Sequence, residues 1–223
     1  MTMAFDTSPS HPGHVHLAST AHDFAVIGRL WRTVYQEELG WIDGSVSAEL
    51  DSLHHQNADY CLATNDGGAG MGTMRVLFGP RASIPTFKLT HVELPETMAG
   101  AQFAEFGRLM VFDKSRKRRL HGYPFGVFAA LLQFAIRRCA DRNVRFVATN
   151  VQCSGEALSL VGALKMAGFE ETGTRFFDEF SPLNPPCTAL LLDIEDNRAR
   201  SQCRNPLAAY LYGDHRASEH VRI

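Results

Sequence analysis

AEFGRLMVFDKSRKRRLHGYPFG, residues 104–126, opens as a buried strand and closes as the start of a helix. The strand, over about 103–112, is apolar apart from Glu105 and Arg108. Strand side chains alternate between faces, so a regular strand would point residues 105 and 108 to opposite sides. Five cations then fall within six positions: Lys114, Arg116, Lys117, Arg118 and Arg119. Gly122, Pro124 and Gly126 lead into an apolar face made by Val127, Phe128, Leu131, Leu132, Phe134, Ala135 and Ile136, which predicts a helix over 120–142. Backbone N–H groups at a helix N-terminus, with glycines that permit close approach, make an anion site suited to a phosphate. A solvated cationic loop is the alternative.

Outward from this unit the chain alternates strands and helices. Residues 59–79 read as an antiparallel hairpin around the turn NDGG. Residues 81–100, with Pro85 and Pro95, read as a connection holding a short strand and a helical turn. VRFVATNV (144–151) is too apolar for a half-exposed strand. Residues 155–169 read as a helix ending at Gly168, and EETGTRFFDEF with CTALLLDI as a closing strand pair. Upstream, Phe24, Ile27, Leu30, Trp31, Val34, Tyr35 and Leu39 recur at helical spacing and Gly40 suits a C-cap. A second short helix is expected over 45–54. The expected fold class is therefore α/β, a mixed sheet with helices on both faces. The expected organisation is a mobile tail over 1–20, one domain over 21–194 and a polar extension over 195–223.

Composition narrows the possibilities. The 223 residues are 45% hydrophobic, enough for one sizeable core. A net charge of −2 creates no global field for nucleic acid, and the basic loop has no interleaved aromatic platform beyond Tyr123 and Phe125. The five cysteines, at 61, 139, 153, 187 and 203, show no metal-ligand spacing, and reduced thiols are expected. HPGHVH near the start lacks accompanying Cys or carboxylate ligands, so no metal site is expected. No apolar run reaches the ~18 residues of a membrane span, and a cytoplasmic location is the expectation.

The element order and the strand–basic turn–helix unit resemble the GNAT acyltransferases. YQEELGW, DYCLATNDGGAGMGTMRV and EFGRLMV narrow the resemblance to the acyl-homoserine-lactone synthases and the long-chain N-acyl amino acid synthases. The resemblance spans roughly residues 25–194. It implies that Glu105 and Arg108 form the family's Glu-x-x-Arg pair and do the catalytic work, and that the strand bulges there. It implies that Tyr35, Trp41 and Arg75 line the acceptor side. The backbone at Met110 and Val111, with Arg116, Arg119, Gly122, Phe125 and Gly126, is implied to hold the pantetheine and phosphates of the donor. Departures occur at Trp31, where the lactone synthases carry an Arg, and at His54, where they carry a second acidic residue near Asp51. Leu164 stands where many of these acyltransferases have a Tyr acting as general acid.

N-acyl transfer from a thioester needs a neutral amine, a polarised carbonyl and a held donor. A carboxylate in a central strand suits the first task, directly or through water, and makes Glu105 the candidate base. Its alternative is a structural carboxylate paired with Arg108. Thus the expected activity is transfer of a fatty acyl group from acyl carrier protein or coenzyme A to a small amine acceptor such as an amino acid. No tightly bound cofactor is expected; acyl-ACP or acyl-CoA acts as co-substrate. The cation run Lys114–Arg119 is expected to dock an acidic carrier protein. The alternatives are a lactone autoinducer synthase using S-adenosylmethionine, which the departures at 31 and 54 disfavour, and a non-catalytic binder of acyl thioesters or of a partner.

Overall fold

The computed structural model describes residues 14–41, 57–90, 92–112, 122–153, 157–178, 184–201 and 206–213. The helix expected over 45–54, Asp51, His54, His55, His121 and the cations from Lys114 to Arg119 lie outside these residues.

Seven strands form one sheet: β1 (His14–Leu17), β2 (Ala58–Thr64), β3 (Gly70–Pro80), β4 (Gln102–Val111), β5 (Phe146–Gln152), β6 (Glu170–Phe177) and β7 (Pro186–Asp193). Their spatial order is β1-β2-β3-β4-β5-β7-β6. The β4–β5 pair is parallel and the others are antiparallel. A parallel pair needs a crossover, and helix α3 (Gly126–Asp141) supplies it.

Before β2 runs α1 (Ala21–Trp31), continued by a π-helical segment, Arg32–Glu38. Helix α2 (Pro85–Leu89) lies between β3 and β4, α4 (Ala157–Met166) between β5 and β6, and α5 (Ile194–Ser201) and α6 (Pro206–Tyr212) follow β7. Alternation along the strands builds two faces. Cys61, Val76, Phe106, Val147 and Leu190 pack against Val127, Leu131 and Leu132 of α3, with Leu164 of α4 and Leu211 of α6. On the other face Tyr60, Leu62 and Met110 meet Ile27, Leu30, Trp31 and Tyr35. Farther along that face Phe103, Phe146 and Ala148 pack with Ile84 and Phe87 around α2.

Two expectations are corrected. Residues 14–17 are the edge strand β1, not tail, and its Val15 pairs with Ala63. The Tyr123 hydroxyl ties this edge down, donating to the carbonyls of His14 (3.0 Å) and Thr64 (2.6 Å). The described part of 81–100 holds α2 and two 3-10 turns, Arg81–Ser83 and Glu96–Met98, rather than a strand; Pro85 occupies the first turn of α2, where its missing N–H costs nothing. The C-terminal extension docks on the fold at α6: Leu211 is buried in the core, Gln133 Nε2 donates to the Tyr210 carbonyl, and Arg137 donates to that of Gly213. No helix among the described residues is long and apolar enough to cross a membrane.

Candidate active site

The site grows from an irregularity in β4. Thr73 pairs with Met110 and Arg75 with Gly107, so Arg108 and Leu109 together oppose the single residue Met74. This is a β-bulge, and it resets the alternation. Phe103 packs on the α2 side before it; Met110 packs on the α1 side after it, while Leu109 and Val111 turn to α3. Arg108 takes φ 52°, a left-handed conformation that costs a non-glycine residue about 1–2 kcal/mol. The turn brings Arg108 to the face of Glu105, with its guanidinium 5.0 Å from the Trp31 ring centre. Such a cation–π contact is worth about 0.5–2 kcal/mol and offsets part of the strain. The two residues that a regular strand would separate therefore share one face.

Glu105 is 3% exposed, and both its oxygens have partners. Oε2 accepts the backbone N–H of Thr86 at 2.6 Å and the Thr86 hydroxyl at 2.8 Å. Ile84, at the cap position of α2, provides no side-chain cap, so the strand carboxylate satisfies an N–H that the helix start leaves open. Oε1 accepts from Arg75 Nη2 at 3.3 Å. Burial raises the pKa of the Tyr60 phenol, and the nearby Arg75 guanidinium opposes that rise. Oε2 is thus tied to the start of α2 and Oε1 to Arg75, beside Gly107. A Cβ at residue 107 would stand 3.4 Å from Arg75 Nη2 and 3.5 Å from Glu105 Oε1. A longer side chain there would occupy the space in front of the pair.

The π-helical segment turns Tyr35 toward the bulge, where its hydroxyl donates to the Leu109 carbonyl at 3.4 Å. Single-turn π geometry often marks functional positions, and here the segment runs for seven residues. Burial pushes the Tyr35 phenol up, against Arg108 and Arg75, so it stays neutral at physiological pH. Its ring lies 5.5 Å from that of Trp31 and 5.3 Å from that of Trp41. Gly40, at φ 62°, ends the helix and returns the chain so that the Trp41 N–H donates to the Tyr35 carbonyl at 2.7 Å.

On the other side of β4 the sheet parts. The β4–β5 ladder ends at Glu105–Ala148. Beyond it β4 stays with β3 and β5 with β7, and the Thr149 hydroxyl satisfies the Phe106 carbonyl at 2.7 Å. Downstream, the turn before α3 has Gly122 at φ 84° and Gly126 at φ 87°. Phe125 at the cap position gives α3 no side-chain cap, and the first turn holds no acidic residue. An uncapped helix start is an anion-binding arrangement.

Tyr35, Trp41, Arg75, Glu105 and Arg108 thus gather on one face. Met110 and Val111 end β4, and Gly122, Phe125 and Gly126 form the turn before α3. Arg116 and Arg119 lie outside the described residues. Leu164 is buried in the core against α3. Sequence reasoning missed Tyr60 and Thr86. Pro85 marked the start of α2 and would have drawn attention to Thr86; nothing local signals its pairing with Glu105. The described residues hold no group of three or more His, Cys, Asp or Glu able to bind a metal.

No protein-family model matches the sequence, and no curated protein matches it. Solved structures do. FeeM, an N-acyl amino acid synthase from uncultured soil microbes, superposes with a TM-score of 0.65 at 18% identity, covering 90% of this chain and 99% of that chain. TofI, solved in a ternary complex with an inhibitor and MTA, gives 0.55 at 19% identity, covering 82% and 92%. An acetyltransferase of the GNAT family from Staphylococcus aureus gives 0.53 at 12% identity, covering 82% and 99%. At these identities the likeness is one of architecture: this chain has a GNAT-like fold.

Proposed function

We propose that the protein is an N-acyltransferase that moves a fatty acyl group from the thioester of acyl carrier protein or coenzyme A to the amine of an amino acid or similar acceptor. The observation that carries this reading is the bulge, which sets Glu105 and Arg108 on one face where β4 leaves β5. The pantetheine arm enters the gap between β4 and β5, and its phosphate meets the N-terminus of α3. Glu105, held through Thr86, keeps Oε1 toward the acceptor and takes the ammonium proton, directly or through water. The neutral amine attacks the thioester carbonyl. The C–N bond forms, the C–S bond breaks, and the departing thiolate takes up a proton. Backbone N–H groups near the bulge, at Met110 and Val111, steady the carbonyl oxygen. Arg75 pairs with Glu105 Oε1 and orients the base.

The donor we favour is the carrier protein. Five cations from Lys114 to Arg119 exceed what one pyrophosphate needs, and opposite surface charge speeds encounter with an acidic partner. Such a donor makes the cytoplasm the expected compartment. The test is thiol release from a fatty acyl thioester, followed with a panel of amino acids and amines. Release that depends on the amine, with an amide product, supports the reading; release without amide formation rejects it.

A further inference from the structure

Position 107 leaves the sheet bare beside Glu105. Gly107 pairs with Arg75, and Arg75 with Tyr60, so the three form one row across β4, β3 and β2. Gly107 shares a face with Glu105, two residues back in the regular part of the strand. A Cβ at 107 would stand 3.4 Å from Arg75 Nη2 and 3.5 Å from Glu105 Oε1, and apart from its chain neighbours it would meet no other atom of the described residues within 4 Å. Glu105 is 3% exposed, whereas Gly107 is half-buried. The last β4–β5 pair is Glu105–Ala148, so residue 107 lies where β4 has left β5. The backbone does not call for glycine here, because the left-handed residue of the neighbouring bulge is Arg108 and not Gly107. Glycine weakens a strand interior, and there it often marks the close approach of a ligand.

We propose that Gly107 sets acceptor specificity: the room left by its missing side chain receives the substituent on the carbon next to the acceptor's amine, so amino acids that carry a side chain there, and not glycine alone, are acylated. This rests on the acyl-transfer reading above. A base takes a proton directly from an amine held within about 3 Å. The carbon bonded to an amine so placed stands beside the position that a Cβ at 107 would fill, which is itself 3.5 Å from Oε1. A side chain at 107 and a substituent on the acceptor therefore compete for the same space.

Gly107→Ala adds one methyl group at ordinary contact distance, and Gly107→Val adds two more. Ala suits a strand interior better than Gly, so the Gly107→Ala melt should match or exceed that of the wild type. With lauroyl-ACP or lauroyl-coenzyme A as donor, whichever turns over faster, kcat/KM is measured for glycine, alanine and phenylalanine by thiol release and amide formation. Gly107→Ala should lower the values for alanine and phenylalanine about tenfold or more, the worth of one methyl group in a fitted pocket. The value for glycine should fall less, Gly107→Val should widen the gap, and the donor's KM should hold. Equal losses for all three acceptors, no loss for any, or a wild type confined to glycine would overturn the inference and leave acyl transfer standing. A wild type that forms no amide with any amine would sink the acyl-transfer reading and the inference with it.

Discussion

Glu105→Gln separates the two jobs that the structure gives this carboxylate. Gln keeps the length of the side chain, and its carbonyl oxygen can still accept from the Thr86 N–H and hydroxyl, so the start of α2 stays capped. The other oxygen becomes an NH2 group facing the Arg75 guanidinium, where an ion pair stood at 3.3 Å with side chains 16% and 4% exposed. Breaking a buried pair costs about 3–5 kcal/mol, and the retained Thr86 bonds place this case at the low end, about 3 kcal/mol. In a domain of this size that lowers Tm by about 6–12 °C. Loss of the base lowers the rate of transfer by about a hundredfold to ten-thousandfold. Circular dichroism melts measure the first effect, and thiol release at saturating substrates, across about pH 6 to 9, measures the second below the new Tm. If the melt falls as expected while kcat stays within roughly threefold of wild type at every pH, Glu105 is a structural cap and ion-pair partner, and its assignment as general base is wrong.

Three further outcomes are expected. Arg75→Ala should raise the acceptor's KM more than the donor's and lower stability. Arg75→Lys should not restore either, because a compact ammonium does not reproduce the planar guanidinium that reaches Glu105; full rescue by Lys in the same kinetic and melting assays would count against this role. Reversing two of the charges among Lys114, Arg116, Lys117, Arg118 and Arg119 should cut kcat/KM for a carrier-bound donor several-fold at low salt, with the deficit shrinking as salt screens it; equal effects on carrier-bound and coenzyme A donors would reject the docking role. Asp23 accepts from the backbone of Ser19 and Thr20 in a capping box, and these bonds, that from Ser19 foremost, hold its carboxyl well below the usual range. Its contribution is thus present above the unfolded carboxylate pKa of about 3.9 and lost as pH falls toward the folded value. Asp23→Ala should cost about 1 kcal/mol at neutral pH and progressively less below about pH 4, checked by urea melts at several pH values.

The parts legible in the sequence were those with local signatures. Alternation and the NDGG turn marked the β2–β3 hairpin, and a helical apolar face between two strands marked the α3 crossover. Glu105 and Arg108, three apart in a strand, posed a conflict of facing that the bulge resolves. What stayed hidden depends on distant partners. Nothing within HVHL announces a strand, since β1 exists because β2 offers an edge and the Tyr123 hydroxyl reaches its backbone from 109 residues away. Thr86 bonds a carboxylate 19 residues on. The π-helical stretch from Arg32 to Glu38 has the same apolar spacing as an α-helix, and its packing against β4 decides the outcome. PLAAYLY, inside an extension read as helical or loose, is a helix: Pro206 at its head is a helix-start signal, and the core surface that its apolar residues cover is set by distant elements.

Mass spectrometry of lipid extracts from cells over-producing the wild-type chain, set beside extracts from cells making Glu105→Gln at equal level, tests the central claim most directly. The account predicts new N-acyl amino acids in the first extract and their near absence from the second. Wild-type and mutant extracts with no new acylated amine in either, or a new acyl-homoserine lactone in place of the N-acyl amino acid, would contradict it.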